Sequence, residues 1–214
     1  MNKTKIDWCD YTWNPIVGCA GGCHYCYAKR LNDRFNWLPD FTKPQLYPSR
    51  LSSIEFKPLK KPSIIFVCSM GDIFGCPEFP EYAVETIIAA MSHYPQHVFM
   101  VLTKRPEEYG KYQWPKNAML GITMTSGENR ALSGLHLGAE NKTFLSAEPL
   151  FGNFGPILAN LVIVGAQTGP GAVKPKREWV DSIKHHNIFY KGNIVKQFPD
   201  LKQGTKEQIW SLFK

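Results

Sequence analysis

The sequence predicts an α/β fold built on parallel strands, a partial (β/α)6 TIM-type barrel with outer helices that is open on one side. Three observations lead there. Apolar runs of strand length are continuous rather than alternating, as in strands covered on both faces. Segments with helical spacing stand between them. The chain of 214 residues holds about six or seven such units, short of the eight that close a barrel. A doubly wound sheet is the alternative architecture. The whole chain, 1–214, reads as one domain.

Taken in order, TWNPIVG (12–18) is the first expected strand, followed by a cysteine-bearing loop and a short helix, AKRLNDRF (28–35). Residues 38–62 read as an irregular connection punctuated by Pro39, Pro44, Pro48, Pro58 and Pro62. SIIFVCSM (63–70) is the second strand. PEYAVETIIAAMSHY (80–94) is a helix, with Ala83, Ile87, Ala90 and Met91 on one face. HVFMVLTK (97–104) is the third strand, leading into a short helix at RPEEYGKY. AMLGITMT (118–125) is the fourth, with a partly helical GENRALSGLHLG behind it. KTFLSAEP (142–149) and LVIVGAQT (161–168) follow as strands. REWVDSIKHH (177–186) is a helix before a last strand at NIFYKG (187–192).

Hydrophobic residues make up 43% of the chain and charged residues 20%, a composition that supports a core and excludes wholesale disorder. No apolar run is long enough to span a membrane, and the opening MNKTKIDWCD lacks an apolar signal segment. The expected compartment is the cytoplasm, where cysteines serve as thiols, metal ligands or catalysts rather than disulfides. The net charge of +7 and a pI near 9.1 favour polyanionic partners.

The sharpest local feature is GCAGGCHYCY (18–27). Cys19, Cys23 and Cys26 follow a C-x3-C-x2-C spacing on one short loop. A structural zinc site usually takes two paired knuckles, and only one C-x2-C pair is present. A redox pair of Cys23 and Cys26 would leave Cys19 unexplained. An iron–sulfur cluster uses closely spaced soft thiolates on a flexible loop, and three of them leave one iron with an open position.

This motif, placed after the first strand of a partial barrel with an aromatic before its last cysteine (Tyr25), resembles the radical S-adenosylmethionine (SAM) enzymes. The resemblance implies that Cys19, Cys23 and Cys26 bind a [4Fe-4S] cluster, that S-adenosyl-L-methionine chelates the remaining iron, and that a 5′-deoxyadenosyl radical abstracts hydrogen from a substrate. More narrowly, IDWCDYTWNPIVGC, YCYAKR, VCSMGDIFG, VLTKRPE, LGITMT, FLSAEPLFG and LVIVGAQTGPGA, in that order, resemble a phage-associated radical SAM-like family near the spore photoproduct lyase group. The chain departs from that pattern at Cys9, where relatives tend to carry a hydroxyl residue, and at Gln167, a position often acidic.

Candidate residues for SAM lie at the expected strand ends. SMGD supplies Ser69, Gly71 and Asp72, a carboxylate suiting an ammonium group and a glycine allowing close backbone approach. Thr123 ends the fourth strand. Glu148 ends an apolar strand, where an unpaired acid would be costly to bury and where a ribose diol, a charged substrate group or a structural Arg would compensate it. Gly165 opens a glycine-rich turn whose N–H groups suit adenine or a phosphate. For substrate, the candidates are Lys104 and Arg105, as carboxylate or phosphate binders, and Gln167. Cys9 is the catalytic candidate, as a hydrogen donor or protective thiol. Cys68 and Cys76 are expected in the core. Trp8, Tyr11, Trp13 and Tyr27 are expected in the core and shielding the cluster, with base stacking as the alternative role.

The expected activity is therefore that of a radical SAM enzyme of isomerase or lyase type. Its expected substrate is a nucleobase or nucleotide, such as a modified thymine in DNA. A flavodoxin- or ferredoxin-like electron donor, no membrane and a monomeric state complete the expectation. The alternatives are a peptide or amino-acid substrate, and a non-enzymatic iron–sulfur or zinc nucleic-acid-binding protein.

Overall fold

A computed structural model describes residues 1–52, 56, 59–76, 79–127 and 140–214. The chain contributes β1 (Asn2–Lys3), β2 (Tyr11–Trp13), β3 (Ile16–Val17), α1 (Tyr27–Phe35), β4 (Gln45–Leu46), β5 (Ile64–Val67), α2 (Glu81–Ser92) and β6 (Val98–Thr103). It continues through β7 (Ala118–Met124), β8 (Lys142–Ala147), β9 (Leu161–Val164), α3 (Arg177–Asp181), β10 (Ile188–Tyr190), α4 (Gly192–Val195) and α5 (Glu207–Trp210). Eight of the strands form one sheet in the order β1-β2-β5-β6-β7-β8-β9-β10. β1 is antiparallel to β2, and every later pairing in that sheet is parallel. β3 and β4 pair separately. From β2 onward the order never turns back, which sets aside the doubly wound alternative and its switch point. The sheet is not closed; β1 and β10 are its edges.

The continuous apolar runs are strands buried on both faces. Ile65, Val67, Phe99, Val101 and Leu120 pack toward Val84, Ile87 and Met91 of α2. Leu145, Val162 and Val164 pack with Val180 of α3. The alternate residues face the other way: Ile64, Phe66, Val98, Met100, Met119, Phe144, Leu161, Ile163 and Phe189 gather into one cluster. The N-terminal segment (Trp8, Cys9) and Ile209 of α5 complete it.

Several expected boundaries move. The strand expected at 12–18 is two short strands separated by Asn14 and Pro15. Pro15 has no N–H to donate, and the Asn14 side chain turns away to accept from Ser69 Oγ at 3.1 Å and Met70 N at 2.9 Å. The helix expected at 177–186 ends at Asp181. Ser182 there donates its hydroxyl to Trp179 O and accepts from Phe154 N. RPEEYGKY forms a 3-10 helix, Pro106–Lys111. The irregular 38–62 segment carries β4 and a 3-10 turn at Pro48–Leu51. The helix expected in GENRALSGLHLG lies, from residue 128 on, outside the described residues. No helix among the described residues is long and apolar enough to cross a membrane.

Tyr109 fastens β6 to β7 from the 3-10 helix. Fully buried, its hydroxyl donates toward the carbonyls of Val101 and Gly121, each 2.9 Å away. Burial holds the phenol well above its ordinary range. Tyr109→Phe is expected to lower unfolding free energy by about 1–3 kcal/mol at neutral pH, because two buried acceptors lose a donor. Above pH ~10 the unfolded parent gains a phenolate at position 109 that the variant lacks, so the parent loses the more stability and the gap narrows. Urea titrations of both proteins between pH 7 and 11 check both outcomes.

Candidate functional site at the carboxyl edge of the sheet

The cysteine loop is pinned across the carboxyl end of β5. Gly18 N donates to Met70 O at 3.0 Å, and Gly18 bridges Gly71 in parallel register. A Cβ on Gly71 would stand 2.5 Å from the Gly18 carbonyl oxygen, so the contact requires glycine. Ala20 N donates to Gly75 O at 2.9 Å. Further along, the loop and the helix it opens meet three other strand-end connections. His24 stacks on Phe151 after β8, with centroids 6.1 Å apart, and Tyr25 meets the same ring edge-on. Lys104 Nζ, after β6, lies 5.2 Å from the Tyr25 ring centroid. Arg30 of α1 donates to Thr168 O at 2.6 Å, beyond β9. Phe151 N in turn donates to Thr125 O, at the end of β7.

Cys26 caps α1, its Sγ accepting from Lys29 N at 3.4 Å. Cys19 Sγ accepts from Gly21 N at 3.3 Å, and Cys23 Sγ lies 3.8 Å from Gly21 O. Burial pushes the Cys19 thiol up to about 11; the Gly21 N–H opposes this, and Asp72, Cys23 and Cys26 add to it. Three soft donors and a carboxylate lie along this edge, and ionising Cys19 beside Asp72 would set up a repulsion that a bound cation relieves. Among the described residues no group of three or more His, Cys, Asp or Glu side chains stands close enough to hold a single metal ion. Three thiols on one loop are the donor type that an iron–sulfur centre takes, but here they are directed at backbone groups of the loop, of α1 and of the connection after β5 rather than drawn together.

The SAM candidates divide. Asp72 has partners of its own: Thr103 Oγ1 at 2.7 Å, Phe74 N at 2.9 Å and Lys104 N at 3.1 Å all donate to it. It clamps the β5 and β6 ends together. Ser69 is buried and its hydroxyl faces Asn14, while its carbonyl accepts from the Tyr27 hydroxyl. Thr123 is half-buried and stands in register with Ser146 of β8. Glu148 is paired with Lys191, beyond β10, and not with an Arg. Gly165 makes room for that carboxylate, since a Cβ there would come within 2.7 Å of Glu148 Cδ.

The substrate candidates divide as well. Arg105 is engaged with its own 3-10 helix and with the connection after β5, donating to Glu108 Oε1 at 2.8 Å and Phe74 O at 3.1 Å. Gln167 closes the glycine-rich turn by accepting from Val173 N. Lys104 remains, over Tyr25. Cys9 is buried with the inner-facing cluster. Burial pushes its thiol up to about 12, against the pull of Lys206 and Lys191, so it stays neutral at physiological pH. Cys68 is buried as expected, but just past β5 with φ of 57°. Cys76 is half-buried rather than in the core.

Tyr27 was expected among core and shielding aromatics; it is 41% exposed. Its phenol is held above the ordinary range by the protein around the hydroxyl, with the charge of Glu148 adding. Asn14, Lys191, Arg30 and Phe151 are the site residues that the sequence reading missed. Only Asn14, beside a proline and a cysteine loop, carried a local signal.

The fold and site thus define an α/β protein whose three-cysteine loop caps the carboxyl edge of a parallel sheet. The chain belongs to the family described as protein of unknown function (DUF5131), whose model matches residues 3–197. None of the curated proteins and none of the solved structures matches it.

Lys191 and Glu148 keep only 16% and 25% of their side-chain surface open. Lys191→Met is expected to destabilise by about 1–3 kcal/mol, since a lone carboxylate is left behind. Adding Glu148→Gln should recover most of that loss. A double-mutant cycle in urea measures the coupling, and additive losses would show the pair to be uncoupled.

Proposed function

We propose that this chain is a radical SAM enzyme acting on a nucleobase or nucleotide, with Cys19, Cys23 and Cys26 holding a [4Fe-4S] cluster. The observation that carries the reading is the placement of three thiols over the carboxyl ends of parallel strands, where βα folds gather their chemistry. The inner-facing side chains of β5 to β10 share one cluster around Trp8. That arrangement supports a sheet curled into a partial (β/α)6 barrel, open between β1 and β10.

Bound there, a reduced cluster and SAM supply a 5′-deoxyadenosyl radical able to abstract hydrogen. The chain's own residues prepare the site. His24 and Tyr25 of the loop pack against Phe151 and fix the loop over the end of β8. Ser69, Gly165 and Thr123 line the strand ends that would receive SAM. Glu148 and Lys191 offer an acceptor and a donor side by side, a pattern suited to the polar edge of a base. Cys9 keeps its hydrogen on sulfur at neutral pH, being buried and raised to about 12. The net charge of +7 favours a phosphate-bearing substrate. An isomerisation or radical C–C cleavage of a modified thymine is within reach of this set.

The test is anaerobic reconstitution with iron and sulfide, reduction, and assay of 5′-deoxyadenosine. The parent is expected to form it and Cys26→Ala to lose it by at least about a hundredfold, the scale of removing an essential catalytic group. Thymine nucleotides and thymine-containing DNA are then screened for product. Zinc in place of iron, with no SAM cleavage, would contradict the reading.

A further inference from the structure

Two large aromatic side chains lie in the open at the far end of the helix that begins at Cys26. Phe35, the last residue of α1, is 51% exposed and Trp37 is 50% exposed. Their rings stack 5.2 Å apart at 16°, and the Arg34 guanidinium lies 5.1 Å over Phe35. The turn that presents them is tightly built. Asn36 takes a left-handed φ of 53° and closes α1 through its N–H to Asn32 O. The buried Asn32 side chain accepts from Leu38 N at 2.8 Å and donates to Leu38 O at 3.0 Å. Leu38 is drawn into the core beneath. Trp37, between these two fixed residues, stays at the surface.

Exposed aromatics already ordered in the free protein lose little entropy on stacking against a flat ligand. The charge around them selects the ligand. Residues 29–50 carry five Lys or Arg against two carboxylates. Both of those, Asp33 and Asp40, are already paired with Lys29 and Lys43. Aromatic faces with a stacked guanidinium on a positive surface match the bases and phosphates of a polynucleotide. In a duplex the base faces are covered, so the occupant is a single strand. At 1.5 Å per residue, the nine residues of α1 set the platform about 13 Å from Cys26.

We propose that Phe35 and Trp37 form a base-stacking platform that holds single-stranded DNA beside the cysteine loop. The base reaching the site is then part of a polymer rather than a free nucleotide. The choice of DNA rests on the nucleobase reading above; the binding itself needs no cluster.

The full chain, reconstituted and unreconstituted, is titrated with oligo(dT) while tryptophan fluorescence and oligonucleotide anisotropy are followed. Quenching is expected, with affinity falling as salt rises. Trp37→Ala and Phe35→Ala should each weaken binding about tenfold, the scale of one lost base–aromatic stack. Trp37→Phe should keep most of it. Tyr82→Ala, at an exposed aromatic of α2, should change nothing, and a duplex of the same sequence should bind more weakly. Equal affinity in the parent and Trp37→Ala would overturn the proposal. So would parent self-association that Trp37→Ala abolishes without any DNA binding. Loss of the platform effect alongside 5′-deoxyadenosine formation would refute this inference alone. Strand binding by Cys26→Ala and parent alike, with no SAM cleavage in the parent, would instead refute the radical reading.

Discussion

The placement of the cysteine loop over the sheet depends on the contact between Gly18 and Gly71. There the backbone entering the cysteine loop lies against the backbone leaving β5, closely enough that a Cβ on Gly71 would stand 2.5 Å from a carbonyl oxygen. Asn14, four residues earlier, accepts from Ser69 and Met70 on the same connection. Asp72, one residue later, ties that connection to the end of β6. Three short-range constraints thus fix where the thiols lie relative to the sheet, before any cofactor is considered.

Charge at this edge of the sheet is unevenly met. Asp72 has three hydrogen-bond donors, and Glu148 has Lys191. The thiols have only weak bonds to backbone groups of the loop, of the helix it opens and of Gly75 on the connection after β5. Burial and neighbouring negative groups both disfavour ionising Cys19. A thiolate there needs a positive partner, and an iron–sulfur centre supplies one. The same reasoning separates Cys9, which sits among apolar side chains as a neutral thiol.

Much of the fold was legible because both faces of the strands are buried, so the apolar runs at 64–67, 98–103, 118–124 and 161–164 stand out without alternation. Boundaries set by side-chain hydrogen bonds were not. Nothing local announces that Ser182 will end α3 by bonding Trp179 and Phe154. Within the site, the cysteines, the SMGD turn and Glu148 could be read from residue type and position. Their partners could not, because they lie far away in sequence: Lys191 is 43 residues from Glu148, and Arg30 is 138 from Thr168. Arg105 shows the opposite failure. A cation at a strand end reads as an anion binder, yet Glu108, three residues on, already holds it.

The central claim is that the loop at 19–26 carries a cluster in direct contact with SAM. The most direct test is the low-temperature electron paramagnetic resonance spectrum of the reduced, reconstituted protein, recorded before and after SAM is added. A [4Fe-4S] signal whose g-values shift with SAM is the result expected, because an open iron changes its ligands. A spectrum indifferent to SAM, or no iron-based signal at all, would contradict it.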